Sequence, residues 1–331
     1  MTSSAARRCL FLLCTLCAVF LLICPTPAME AVREALRLCG QTIVPSLFPF
    51  LVCSSLLTAL MPRAFLERTL SPLVRPVFRL SGCSAAAAVL GFTGGYPVGV
   101  RTAAALYQDG CISRAEAERL LSFCNNSGPG FLLGVVGLGV FGSTAVGLQL
   151  YAVHIAAALL IALLFRFYGG KAGSACSAVH PGSPPAERSL PRLFTEAVTG
   201  SFTAVLNICA FVLFFMITLR MLSYTGLLHL LAAALSGLLA PLGVTEPYAT
   251  ALIAGFLELS TGSVCLQGTA LTPRSAALAS FLLGWGGLSV HCQSLLFLLE
   301  AQLSSRTYFC GKFLQGILSA ILAYLLFSLL S

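Results

Sequence analysis

The stretches Thr144–Phe165, Ser201–Leu222 and Phe313–Leu330 are apolar almost from end to end, and no other feature narrows the fold so far. A helix needs roughly 20 mostly apolar residues to cross the hydrocarbon of a bilayer. A run of that length without a polar face has no use for water on any side. Composition points the same way: 58% of the 331 residues are hydrophobic and 9% are charged, against roughly 25% charged in soluble domains. The chain reads as an all-α polytopic membrane protein.

Several signals that suggest other classes dissolve in that setting. The net charge of +8 does not form a basic face for nucleic acid; the arginines sit in loops between apolar runs, where membrane topology places them. Most of the 14 cysteines lie inside apolar runs, among them Cys14, Cys53, Cys124, Cys209 and Cys265, where cysteine behaves as a small hydrophobe. The four histidines have no metal-ligand spacing. Arg7 and Arg8 ahead of the run Cys9–Cys24 resemble a signal peptide; with further spans following, the reading is an uncleaved first helix.

Reading along the chain, residues 1–39 hold the first transmembrane helix and an amphipathic piece (Glu30–Leu38). Residues 40–168 form a first repeat: a span at Thr42–Leu60, then an arginine-rich interfacial helix. Next comes a hairpin broken at Gly91–Pro97, with arms of about ten residues, too short to span. A helix capped by Ser113 and Glu116 is interrupted at Asn125–Gly130, and the span Thr144–Phe165 closes the unit. Residues 169–196 are a polar linker. Residues 197–331 repeat the order: the span Ser201–Leu222, a short helix, a hairpin broken at Glu258–Ser263, a helix interrupted at Gly284–Gly287, and a last span. With the N-terminus in the cytoplasm and both hairpins re-entrant, most of the 19 basic residues, Lys312 counted as a loop residue among them, fall on the cytoplasmic side. Only Arg33, Arg37, Arg220 and Arg274 fall on the other. In that topology the two repeats are inverted.

Inverted repeats with broken helices are the plan of secondary transporters, with the solute site at the repeat interface. Unpaired backbone groups at membrane depth are tolerated only where they line a cavity or are buried in protein. Four breaks therefore supply the candidate solute-binding residues. They are Thr93, Gly94, Gly95 and Tyr96; Asn125, Asn126 and Ser127; Glu258, Ser260, Thr261 and Ser263; and Ser289, His291 and Gln293. Each has a plainer reading. Gly94-Gly95 also fits a tight turn or a helix contact, Glu258 a satisfied structural carboxylate, and His291 a hydrogen-bonded core histidine. Unpaired amides at Asn125 and Asn126 are harder to explain structurally, because hydrocarbon penalises them. Arg101 either attracts an anion or snorkels. No phosphate loop, HExxH or GxSxG motif occurs, and the only aspartate, Asp109, lies in a loop. The reading is therefore neither an enzyme nor a cofactor protein.

The pair Gly91-Phe92-Thr93-Gly94-Gly95-Tyr96-Pro97-Val98-Gly99 and Ser122-Phe123-Cys124-Asn125-Asn126-Ser127-Gly128-Pro129, together with Gly287-Leu288-Ser289-Val290-His291, resembles the sporulation integral membrane protein YlbJ family, which carries the nucleoside-recognition ("gate") domain. The resemblance implies spore maturation in an endospore-forming bacterium, at the cell or forespore membrane, and transport of dipicolinate. The order of elements is also similar to concentrative nucleoside transporters, whose Asn-Glu-Phe-type acidic motif is absent here. The partners implied are a small solute, the bilayer, a coupling proton or sodium ion and, in some assemblies, a second copy of the chain. A nucleoside-type solute, or a non-transporting scaffold for spore-envelope assembly, remains the alternative.

Overall fold

A computed structural model describes residues 4–60, 63–169 and 189–330. The expected linker lies mostly outside the described residues. Its last part, from Leu190, is already helix.

The described residues are helical, with no strand among them. Helix α1 (Ser4–Ile23) is followed by α2 (Pro25–Leu38), which starts on a proline in its first turn, where the missing N–H costs nothing. Helix α2 runs through a π-turn at Cys39–Ile43 directly into α3 (Val44–Leu60). The amphipathic piece and the second span are thus one continuous rod, without the break expected near residue 39. Helix α4 (Arg63–Phe78) leads to a hairpin of α5 (Gly82–Gly94, 13 residues) and α6 (Val98–Gln108, 11 residues). At 1.5 Å per residue neither arm crosses a bilayer. Helix α7 (Arg114–Leu121) starts on Ser113, whose hydroxyl accepts from Glu116 N. Glu116 does not close the expected capping box. Its carboxylate accepts instead from the Ser81 N–H and, at 2.7 Å, from the Ser84 hydroxyl, pinning α7 to the first hairpin.

After an extended stretch, a π-helix (Phe131–Val140) and α8 (Thr144–Leu164) complete this half. The second half comprises α9 (Leu190–Tyr224), α10 (Leu227–Leu238), a hairpin of α11 (Glu246–Leu257) and α12 (Leu259–Val264), the broken pair α13 (Pro273–Trp285) and α14 (Gly287–Glu300), and α15 (Arg306–Leu330). The two halves are inverted repeats of one plan. Five helical stretches among the described residues are long and apolar enough to cross a membrane. Leu22, Leu238 and Leu329 are three-quarters or more exposed, as lipid-facing positions should be.

Small residues let the backbones close up at the centre. A methyl on Gly91 or Gly99 would run into the Cys124 carbonyl, so both arms of the first hairpin press on the unwound segment. In the second hairpin the contacts differ: a methyl on Gly262 would run into the Gly255 backbone of the other arm, and one on Gly255 into the Leu282 side chain. Gly91, Gly99 and Gly262 thus mark close backbone approaches. Helix α15 lies against both α8 and α13 and joins the halves at their centre.

Candidate functional site

The four breaks meet. Gly94, Gly95 and Tyr96 from the first hairpin tip, Ser127, Gly128 and Gly130 from the first interruption, Glu258 and Ser260 from the second tip, and Ser289 and Gln293 from the second interruption line a single cavity of about 60 Å³. Leu47, Phe50 and Leu51 of α3 and Ile208 and Phe211 of α9 form its apolar wall. One ordered water needs roughly 10–15 Å³ on this measure, so the cavity takes a few waters as it stands.

Backbone geometry explains why the chain breaks there. Gly95 has φ of +73°, a conformation that disfavours a Cβ. On the opposite side Gly286 and Gly287 adopt φ of +90° and +81° in succession, which only a glycine pair does without strain. Pro129 supplies no N–H. Between Asn125 and Pro129 the ladder is therefore open, and its groups find other partners. The Ser127 N–H donates to His154 Nε2 at 3.2 Å, and Asn126 Nδ2 reaches back to the Phe123 carbonyl at 2.7 Å.

Behind the cavity wall lies a polar network that the sequence reading missed. Lys312, on α15, is fully buried. Its Nζ donates to Tyr96 Oη at 2.9 Å, to the Asn125 carbonyl at 2.8 Å and to Gln315 Oε1 at 2.9 Å. Gln315 Nε2 passes the chain on to Asn126 Oδ1 at 2.8 Å. Because Nζ donates in all three contacts, Lys312 sets the orientation of both amides. Tyr96 then turns its own O–H to the Leu283 carbonyl at 2.8 Å. Asn125 Nδ2 donates to Ser294 at 3.0 Å and to Tyr308 at 3.3 Å, and Tyr308 Oη meets His291 Nδ1 at 2.9 Å. Lys312 was expected in a cytoplasmic loop. The correction is physical: it opens the last span with its head turned inward to three oxygens, and a count of loop charges cannot see that. An ionisable group at the edge of an apolar run was the available signal.

The proposed site residues sort by where their polar atoms point. Gly94, Gly95, Tyr96, Ser127, Glu258, Ser260, Ser289 and Gln293 line the cavity. Asn125, Asn126 and His291 sit behind it, in the network. Thr93 and Ser263 do not present their hydroxyls to the cavity. Each donates to the carbonyl four residues back in its own helix, Val89 and Leu259, the usual resting place of such hydroxyls in apolar helices. Thr261 is turned to Glu258. That carboxylate accepts from Ser260 N at 3.0 Å, Thr261 N at 2.7 Å and Thr261 Oγ1 at 2.8 Å, capping the helix it precedes. Arg101 is exposed, as a snorkelling residue would be.

No family model matches the sequence. The "Sporulation integral membrane protein YlbJ" of Bacillus subtilis (strain 168) is 30% identical over 318 residues, covering 91% of this chain and 78% of that protein. The chain belongs to the YlbJ family. Among solved structures, this YlbJ-family chain is similar to CNTnw in an inward-facing substrate-bound state, with a TM-score of 0.55 and 15% identity over 99% of this chain and 85% of the other. A doubly substituted CNTnw in an outward-facing state matches equally well, over 98% and 86%. At that identity the likeness concerns the fold, that of concentrative nucleoside transporters. Within it the YlbJ-family chain is an integral, multi-pass membrane protein.

Proposed function

We propose that this chain is a secondary transporter of a small anionic or polar solute in spore maturation, with dipicolinate as the best candidate. One observation carries the reading: four helix breaks, two from each inverted half, converge on one cavity whose wall is polar at the breaks and apolar elsewhere. A scaffold has no need for such a convergence, since every opened turn forfeits hydrogen bonds that must be replaced. The buried ammonium of Lys312, one residue behind the Tyr96 wall and matched only by neutral oxygens, favours an anionic solute over a neutral nucleoside. The solute sits between the hairpin tips, held by Tyr96, Ser127, Ser289 and Gln293, with Asn125 and Asn126 fixing the unwound segment that carries Ser127. In this proposal residues 40–168 and 197–331 are the two gate-like units, and the N-terminus is cytoplasmic.

The test is uptake into proteoliposomes, with dipicolinate and a set of nucleosides offered separately under imposed proton and sodium gradients. Dipicolinate uptake is expected, and Asn125→Ala and Asn126→Ala are expected to abolish it while the protein still inserts. Nucleoside uptake alone would favour the fold neighbours' solute class. No uptake of either would overturn the reading in favour of a scaffold, whereas normal uptake in both variants would sink the proposed site.

A further inference from the structure

The three acceptors around Lys312 carry a meaning beyond solute charge. They come from three places: the first hairpin tip (Tyr96 Oη), the carbonyl freed by the first interruption (Asn125 O), and α15 itself (Gln315 Oε1), all within 2.8–2.9 Å of Nζ. None is charged, and among the described residues no carboxylate lies within ion-pair distance of Nζ. The carbonyl and the amide oxygen have no proton to give, and Tyr96 has committed its own to Leu283. Three acceptors require three N–H groups, so the contacts fit the ammonium, since a neutral amine has only two. A cluster of neutral oxygens that includes a carbonyl from an unwound helix is also the donor set that hard cations take, and carriers with discontinuous helices hold their coupling ion in this way.

We infer that the Lys312 side chain is a tethered, resident cation seated in an oxygen cradle of alkali-ion type at the junction of the two halves, so that the carrier works without sodium. The inference rests on the transport reading for its consequence, but the cradle itself can be examined without any solute. With Lys312 in place, the three oxygens are saturated and an external cation gains nothing. With the side chain cut back, the cradle keeps its oxygens and loses its charge, and a small cation of matching charge should enter.

The experiment is thermal unfolding of the purified full chain in detergent, with sodium, methylammonium or choline chloride at equal ionic strength. The wild-type midpoint should be the same in all three. Lys312→Ala should be destabilised in choline and recover about 3 °C or more in sodium or methylammonium. Lys312→Met, which fills the space without charge, should respond to neither. A folded Lys312→Ala that ignores both small cations would overturn the inference, as would an equal response in Lys312→Met. Should Lys312→Ala not be recoverable, the wild type still decides. A sodium-raised wild-type midpoint, or solute uptake that collapses when choline replaces sodium, contradicts a resident cation, whereas indifference in both supports it. Failure of uptake with every solute would sink the transport reading and leave the unfolding result standing by itself.

Discussion

The two halves share a backbone plan but not a chemistry. In the first, the hairpin tip and the unwound segment send their polar groups across the molecule: Tyr96 to Leu283 and Lys312, Asn125 to Ser294, Tyr308 and Lys312, Asn126 to Gln315. In the second, the hairpin tip closes on itself, with Glu258 capping the turn that follows it. The Glu258 bonds lie within its own hairpin, and the one outward bond at this tip among the described residues, from Trp285 Nε1 to the Phe256 carbonyl at 3.4 Å, stays inside the second half, so the tip can move against the first half without breaking them. A tip bonded to the opposite half cannot. The inverted frame therefore holds one anchored hairpin and one self-contained hairpin, and an alternating-access cycle in this fold would move the second against the first.

Tyr96→Phe attacks the anchored side and should have the largest effect. It deletes one acceptor of a buried ammonium and leaves the Leu283 carbonyl without its donor. An unmatched buried group costs about 1–3 kcal/mol and more when charged, so a loss of roughly 3 kcal/mol is expected, together with loss of dipicolinate uptake. Thermal unfolding in detergent reads the first and proteoliposomes the second. A Tyr96→Phe protein as stable as the wild type would mean that the first hairpin is no better anchored than the second.

Glu258→Gln probes the self-contained side and should be milder. The amide oxygen keeps the Thr261 N–H and hydroxyl, while the Ser260 N–H loses its acceptor and the charge complement to the first turn is lost, a change of about 1–2 kcal/mol. Removing a negative charge from the cavity wall should also tighten the apparent affinity for a dianion, by about tenfold or more at an effective dielectric near 20. Concentration-dependent uptake measures it. An affinity that falls instead would place Glu258 among the groups that bind the solute's cationic partner.

The fold was largely legible from sequence because its cues are local. Run length announced the spans, Gly95 the first tip, the Gly286-Gly287 pair the second interruption, and Pro129 the open ladder. The Gly91 and Gly99 spacing also had a local cause, the approach of both arms to Cys124. What stayed hidden depends on direction. A lysine at the mouth of an apolar run looks the same whether its head turns to water, as counted for Lys312, or inward to Tyr96, Asn125 and Gln315. Gln315 and His154 each lie in an apolar helix, where one polar residue reads as noise. Only tertiary packing shows that Gln315 meets Asn126 across the halves and that His154 meets the Ser127 backbone within the first. The same holds for Thr93 and Ser263: sequence places them beside a break, and only the rotamer shows their hydroxyls bonded within their own helices.

Those two hydroxyls supply the smallest and cleanest comparison, because they occupy the two hairpins and make the same kind of bond. Thr93 Oγ1 donates to Val89 at 2.9 Å and Ser263 Oγ to Leu259 at 2.8 Å. Each carbonyl already sits in a helical ladder, so Thr93→Val and Ser263→Ala remove a supplementary bond and leave no donor stranded. The cost should be about 0.5 kcal/mol in either hairpin, toward the low end for a hydrogen bond, and uptake should stay within twofold of the wild type. A selective loss of uptake in Thr93→Val with unfolding unchanged would show that its hydroxyl swings from Val89 into the cavity during the cycle. The anchored hairpin would then contribute a ligand that the self-contained one does not. Equal indifference at both positions would confine the solute's polar contacts to the tips and the unwound segments, where the two halves differ most.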